Sequence, residues 1–128
     1  MRIIIDTQLL IWWTNDVSNI SPRVQNIIFD LDNELWLSLA SIWEMQIKIL
    51  LGKLDLPRSL PDIVATQMEE NQIKILPIEL SHVYALDRLP PHHRDPFDRL
   101  IIAQSLTEKM PIASIDKAFD AYLVERIW

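Results

Sequence analysis

The sequence predicts an α/β fold in which a central, mainly parallel sheet is flanked by helices, and three observations carry that expectation. Short apolar runs rich in β-branched residues alternate with stretches whose apolar positions recur every three or four residues, the order expected of a parallel sheet covered on both faces. The hydrophobic fraction is 49% with a single glycine, Gly52, so there is enough apolar surface to offset the entropy of ordering the chain. The length of 128 residues suits one domain, 1–128, built on one core, and no internal repeat or low-complexity segment interrupts it.

Arg2 to Asp6 reads as a buried strand, Ile3-Ile4-Ile5 being β-branched, and it ends on a carboxylate where Leu9 to Trp13 turns helical. Ser21-Pro22 supplies a helix start with proline at the first helical position, and Val24, Ile27, Ile28 and Leu31 follow at helical spacing. Glu34 to Leu39 alternates between polar boundaries as a second strand. A helix from about Ser41 to Leu51 follows, stopped by Gly52, and places Glu44 in its first turn. Leu54 to Pro61 is a connection, after which Leu60, Ile63, Val64 and Met68 mark another amphipathic helix. Ile73 to Leu76 is a third strand and Glu79 to Leu86 a helix. Pro90-Pro91-His92-His93-Arg94 is a loop, because proline lacks the amide donor and its ring clashes with a preceding helical turn. Asp95-Pro96 opens a helix with Phe97, Leu100, Ile101 and Leu106 on one side. Pro111 to Ile115 is the last strand, ending at Asp116, and Lys117 to Leu123 returns to helix.

The charge and residue counts narrow the function. A formal net charge of −6 opposes nucleic-acid binding through a broad basic surface, unless carboxylates hold a divalent cation that neutralises them locally. Without such a cluster, that charge is only solubilising. The absence of cysteine excludes disulfides and thiolate zinc sites. Met1 to Leu10 is interrupted by Arg2 and Asp6 and lacks the form of a signal peptide, and no run has membrane-spanning length, so the expectation is a cytoplasmic protein with no membrane partner.

Four acids fall where strands give way to helices: Asp6, Glu44, Asp98 and Asp116, separated by 38, 54 and 18 residues. A parallel sheet aligns the carboxyl ends of its strands, so acids at those junctions can converge on one pocket. Clustered oxygen ligands suit Mg²⁺ or Mn²⁺, and the chemistry implied is phosphodiester hydrolysis. Each acid also has a purely structural reading, since carboxylates are favoured at helix amino termini. Ser41-Ile42-Trp43-Glu44 has the spacing of a capping box, Asp95-Pro96-Phe97-Asp98 that of a helix start, and Asp6 and Asp116 can cap the helices after them. Both readings stand on local sequence.

The residues themselves resemble a known family. Ile3-Ile4-Ile5-Asp6-Thr7 followed by Leu9-Leu10-Ile11-Trp12-Trp13 is similar to the opening of a PIN domain. Ser38-Leu39-Ala40-Ser41-Ile42-Trp43-Glu44, with Lys48 and Gly52-Lys53-Leu54, is similar to the family's second acidic block. His93-Arg94-Asp95-Pro96-Phe97-Asp98-Arg99-Leu100, running into Ile102-Ala103-Gln104, resembles a hallmark of one VapC-like branch, and Ser114-Ile115-Asp116 fits the closing Thr/Ser-x-Asp. These blocks occur in the family's order over nearly the whole chain. The resemblance implies a PIN-like three-layer sandwich, one or two Mg²⁺ or Mn²⁺ ions, and endonucleolytic cleavage of RNA. It implies Asp6, Glu44, Asp98 and Asp116 as the metal-binding and catalytic acids, with Ser114 orienting a ligand or water; Asp95 and Arg99 are read beside them as supporting residues. It implies two partners besides RNA, a neutralising antitoxin protein and a second copy in a homodimer. One departure is visible: Gln8 stands where this branch often has histidine.

Arg94 and Arg99 flank Asp95 and Asp98, either to contact substrate phosphate or, the favoured reading, to pair with those acids. Lys48 and Lys53 are similar surface candidates. His92 and His93, in a proline-rich loop, read as solvated rather than metal-bound. Core packing is the expected role for most of the five tryptophans, with an apolar groove on the early helices as the other reading. Competing functions are weaker. A PIN-like protein-binding module without activity is opposed by the presence of all four acids. An aspartate-based phosphotransferase wants an aspartate where Gln8 stands, and nothing in the spacing selects a glycosidase pair from the four.

Overall fold

The computed structural model describes residues 1–128. Its five strands are β1 (Arg2–Ile5), β2 (Glu34–Ser38), β3 (Lys74–Leu76), β4 (Ile112–Ala113) and β5 (Arg126–Ile127), all paired in parallel in the order β3-β2-β1-β4-β5. The helices are α1 (Thr7–Asn15), α2 (Pro22–Ile28), α3 (Leu39–Leu50), α4 (Leu60–Glu70), α5 (Leu80–Ala85) and α6 (Pro96–Glu108). Side chains alternate across a strand. Ile3 and Ile5 therefore enter one core with Leu35, Leu37, Leu9 and Leu10 of α1, Val24 of α2 and Met45 of α3, while Ile4 enters a second core with Ile101 and Ile102 of α6, Ile112 and Phe119. Two cores on opposite faces of one sheet are the three-layer sandwich the sequence predicts. Burying each of these isoleucines contributes about 1.5–3 kcal/mol, so β1, buried on both faces, anchors the sheet.

A polar brace fixes α6 against the sheet's carboxyl edge. Gln104, fully buried, receives the Ser38 hydroxyl at 2.5 Å and donates to the Pro77 carbonyl at 3.1 Å. The same Ser38 oxygen accepts from the Ala40 amide at 3.0 Å and so caps α3.

Several expectations need correction. Because Ser38 rather than Ser41 is the cap, α3 begins at Leu39, Ser41 is buried in its first turn, and Glu44 lies in the second turn instead of closing a capping box. The helix α2 stops at Ile28, and Leu31 beyond it is 92% exposed. The final helix reduces to a 3₁₀ stretch, Lys117–Ala121, and the chain then forms β5, whose two residues carry too little pattern to be read as a strand. The tryptophans line the rims of the cores rather than filling them: Trp12, Trp13, Trp36 and Trp128 are partly buried against them, and Trp43 is 55% exposed, edge-on to Phe97. No helix is long and apolar enough to cross a membrane.

Candidate functional site

The site lies at the carboxyl edge of the sheet. Pairing of β1 with β4 sets Asp6 beside Ser114: the Asp6 amide donates to the Ala113 carbonyl at 3.1 Å, and the Ser114 hydroxyl donates to Asp6 Oδ2 at 2.7 Å. Asp6 Oδ1 accepts from the Thr7 amide at 2.8 Å, capping α1. Ser114 Oγ in turn accepts from the Asp116 amide at 3.0 Å, and Asp116 caps the following 3₁₀ stretch through Ala118. One hydroxyl thus ties the ends of two strands to two acids.

The other wall is helical. Glu44 of α3 is buried, with the Lys48 ammonium one turn on at 3.1 Å from its Oε2. At the start of α6, Asp95 Oδ1 accepts from the Phe97 amide at 2.8 Å and the Asp98 amide at 3.1 Å, with Pro96 in the first turn, as the sequence predicts for a helix start. Contact between α3 and α6 brings Glu44 and Asp98 together. Asp6, Thr7, Glu44, Lys48, Asp98 and Asp116 line one cleft of about 250 Å³, with Gln8 exposed at its wall. Oxygens of Glu44, Asp95 and Asp98 lie within 4.8 Å of one another, and so do ligand atoms of His93, Asp98 and Asp116. Asp98 belongs to both groups.

This crowding has an electrostatic signature. Burial, and then the charges of Asp6, Asp95, Glu44 and Asp116, push the Asp98 carboxyl up to about 8. Burial also raises Asp6, opposed by the Ser114 and Thr7 donors and reinforced by Glu44 and Asp116. The all-carboxylate group of Glu44, Asp95 and Asp98 fits a hard divalent cation, and the mutual repulsion is what such an ion relieves. Thr7, on the cleft wall, is buried with its Oγ1 unpartnered, a further oxygen facing no protein donor.

Capping and convergence turn out not to be alternatives. Asp6, Asp95 and Asp116 each serve as caps, yet a carboxylate offers about four lone-pair sites and one or two amide donors leave the rest free. Glu44 caps nothing, so capping gives no reason for its place.

Two side chains stand elsewhere than expected. Arg99 neither pairs with the acids nor faces the cleft, because its guanidinium turns back to the carbonyls of Leu86, Leu89, Pro90 and His93. His93, read as solvated, is half-buried with its Nε2 2.9 Å from Asp98 Oδ2. No local signal marks it, since the contact spans a loop and a helix start. Spacing of i to i+4 does signal the Glu44–Lys48 pair. His92 and Arg94 are exposed.

The sequence matches the PIN domain family over residues 3–123. No curated protein matches it. Among solved structures it is similar to VapBC2 from Rickettsia felis bound to a DNA fragment from their promoter, at 12% identity and a TM-score of 0.73, covering 99% of this chain and 98% of that one. It is similar to FitAcB from Neisseria gonorrhoeae, at 16% identity and a TM-score of 0.69, covering 98% and 96%. A likeness to VapBC-5 from Mycobacterium tuberculosis has 18% identity and a TM-score of 0.63, covering 98% and 97%. Identities this low compare folds alone, whereas the family match takes in nearly the whole sequence: the chain belongs to the PIN-domain family.

Proposed function

We propose that this protein is a divalent-metal-dependent endoribonuclease and the toxin of a toxin–antitoxin pair. The observation that carries the reading is the convergence of Asp6, Glu44, Asp98 and Asp116, from four separate segments, on one cleft. Burying that much like charge is costly without a cation to balance it. Membership of the PIN-domain family supports the nuclease. Solved neighbours of the same fold include a member of the VapBC family of toxin–antitoxin systems, which supports an antitoxin as the protein partner. A homodimer and a single domain over 1–128 belong to the same reading.

Asp6 and Asp98 would hold the ion, Mg²⁺ or Mn²⁺. The ion supplies Lewis acidity toward phosphate oxygens and water. Ser114 keeps the Asp6 carboxylate oriented through its hydroxyl, and Asp95 fixes the first turn of α6 on which Asp98 stands. Glu44 or Asp116 aligns the attacking water and accepts its proton as the new phosphorus–oxygen bond forms. The bond to the leaving ribose oxygen breaks, and that oxygen takes a proton from solvent. Lys48 is the cleft's one cation, and its ammonium would stabilise the charge that develops on the phosphate.

The test is cleavage of a panel of structured RNAs with Mg²⁺, Mn²⁺ or EDTA, beside Asp6→Asn and Asp98→Asn. Loss of a mere supporting neighbour of a metal ligand costs about 10–100-fold, so each variant is expected to lose at least about 100-fold while keeping its circular dichroism. EDTA is expected to stop the wild type. A folded wild type that binds neither ion and cuts nothing would instead favour a protein-binding member of the family.

A further inference from the structure

We propose that His93 is a positioning residue for Asp98, held in place by a clamp that Arg99 and Tyr122 close on the loop before α6; the proposal rests on the metal-nuclease reading above. Arg99 Nη1 donates to the Pro90 carbonyl at 3.0 Å, the His93 carbonyl at 3.2 Å and the Tyr122 hydroxyl at 3.3 Å, and Nη2 donates to the Leu89 carbonyl at 3.3 Å. The Tyr122 hydroxyl donates to the Pro90 carbonyl at 2.8 Å and accepts from the His93 amide at 2.8 Å. Tyr122 is buried, and its one hydrogen and two lone pairs are all used. His93 is therefore fixed at both its amide and its carbonyl.

The ring is oriented as firmly. His93 Nδ1 accepts from the Asp95 amide at 3.2 Å, which puts the hydrogen of the neutral ring on Nε2. That nitrogen is buried without an aligned partner and lies 2.9 Å from Asp98 Oδ2. Carboxylate rotation is a soft torsion, so a small turn of Asp98 brings N–H and oxygen into line. A nitrogen that carries a hydrogen has no lone pair for a cation, and this separates a positioning role from a ligand role. The charges that raise the Asp98 carboxyl are carboxylates, namely Asp6, Asp95, Glu44 and Asp116. Once in line, that N–H on Oδ2 would hold the carboxylate in one rotamer and leave its other oxygen for a cation. Metal ligands commonly depend on such supporting donors.

Three measurements test this. Ring ¹⁵N NMR of the full chain is expected to show His93 with a protonated Nε2 and an unprotonated Nδ1 both without metal and with Mg²⁺. Mn²⁺ affinity by electron paramagnetic resonance is expected to weaken about 10–100-fold in His93→Ala and to be largely restored in His93→Gln, whose amide nitrogen reaches as far as Nε2. RNA cleavage by His93→Ala is expected to recover when Mn²⁺ is raised to saturation. Tyr122→Phe touches no acid, and is expected to weaken Mn²⁺ binding in the same direction by less. An Nε2 that loses its hydrogen on Mg²⁺ loading, or a folded His93→Ala with wild-type Mn²⁺ affinity, overturns the proposal while leaving the nuclease intact. A wild type that binds no Mn²⁺ overturns the metal reading, and the proposal with it.

Discussion

The two walls of the cleft are built differently. On the strand wall, Asp6 is held by a hydroxyl and an amide, and the same Ser114 oxygen reaches on to Asp116, so register between β1 and β4 is enough to assemble it. On the helical wall, Glu44 has a half-exposed lysine and Asp98 a histidine on a loop. Both walls bury acid, but only one surrounds it with short donors from the sheet edge. Both walls feel the repulsion, but on the strand wall the Ser114 and Thr7 donors oppose it at Asp6, whereas nothing opposes it at Asp98 on the helical wall, where the carboxyl pushed to about 8 is found.

The largest effect should come from cutting the tie on the strand wall. Ser114→Ala removes a buried donor from Asp6 and a buried acceptor from the Asp116 amide. A stability loss of about 1–3 kcal/mol is expected, with Mn²⁺ affinity down about 10–100-fold, read by urea unfolding and calorimetric titration. Wild-type values in both would erase the distinction between the walls.

A second effect is specific to the helical wall. The folded-state value of Asp98 is raised, so folding favours its protonated form: that contribution is complete below the usual carboxylate range and is lost as pH rises toward about 8. Metal-free protein should therefore lose stability between about pH 4 and 8, while Asp98→Asn or added Mg²⁺ should flatten the profile, checked by thermal unfolding across pH. A metal-free profile unchanged by Asp98→Asn would mean the repulsion is carried elsewhere.

Lys48→Gln should matter least to stability. Lys48 is half exposed and its pair with Glu44 spans one helical turn, so a cost under about 1 kcal/mol is expected by urea unfolding. A larger cost would show the ammonium to be an integral part of the wall rather than a mobile counter-charge.

One element of each wall is legible in sequence from local chemistry alone. Ile3-Ile4-Ile5 before Asp6 announces a buried strand by residue type alone, and Asp95-Pro96 announces a helix start by local capping chemistry. Glu44 lies one turn later than local spacing predicts because Ser38 and Ser41 are equally good caps by residue type, and only the Gln104 brace on Ser38 decides between them. The direction of Arg99 depends on carbonyls as far back as Leu86, and the contact of His93 on the geometry of a loop, neither of which has a period to read. The strand β5 is not legible in sequence because two residues give no alternation to detect.

The placement of β1 at the centre of the sheet has a consequence for how the site comes apart. Asp6 follows directly on a strand paired on both sides and buried on both faces, while β3 and β5 lie at the edges. Edge strands can fray in sub-global openings that leave the middle of a sheet closed. The amides of Ile4, Ile5 and Asp6 then exchange with solvent only when the whole sheet opens, so the first acid of the cleft is lost last, and agents that loosen the periphery leave its anchor standing.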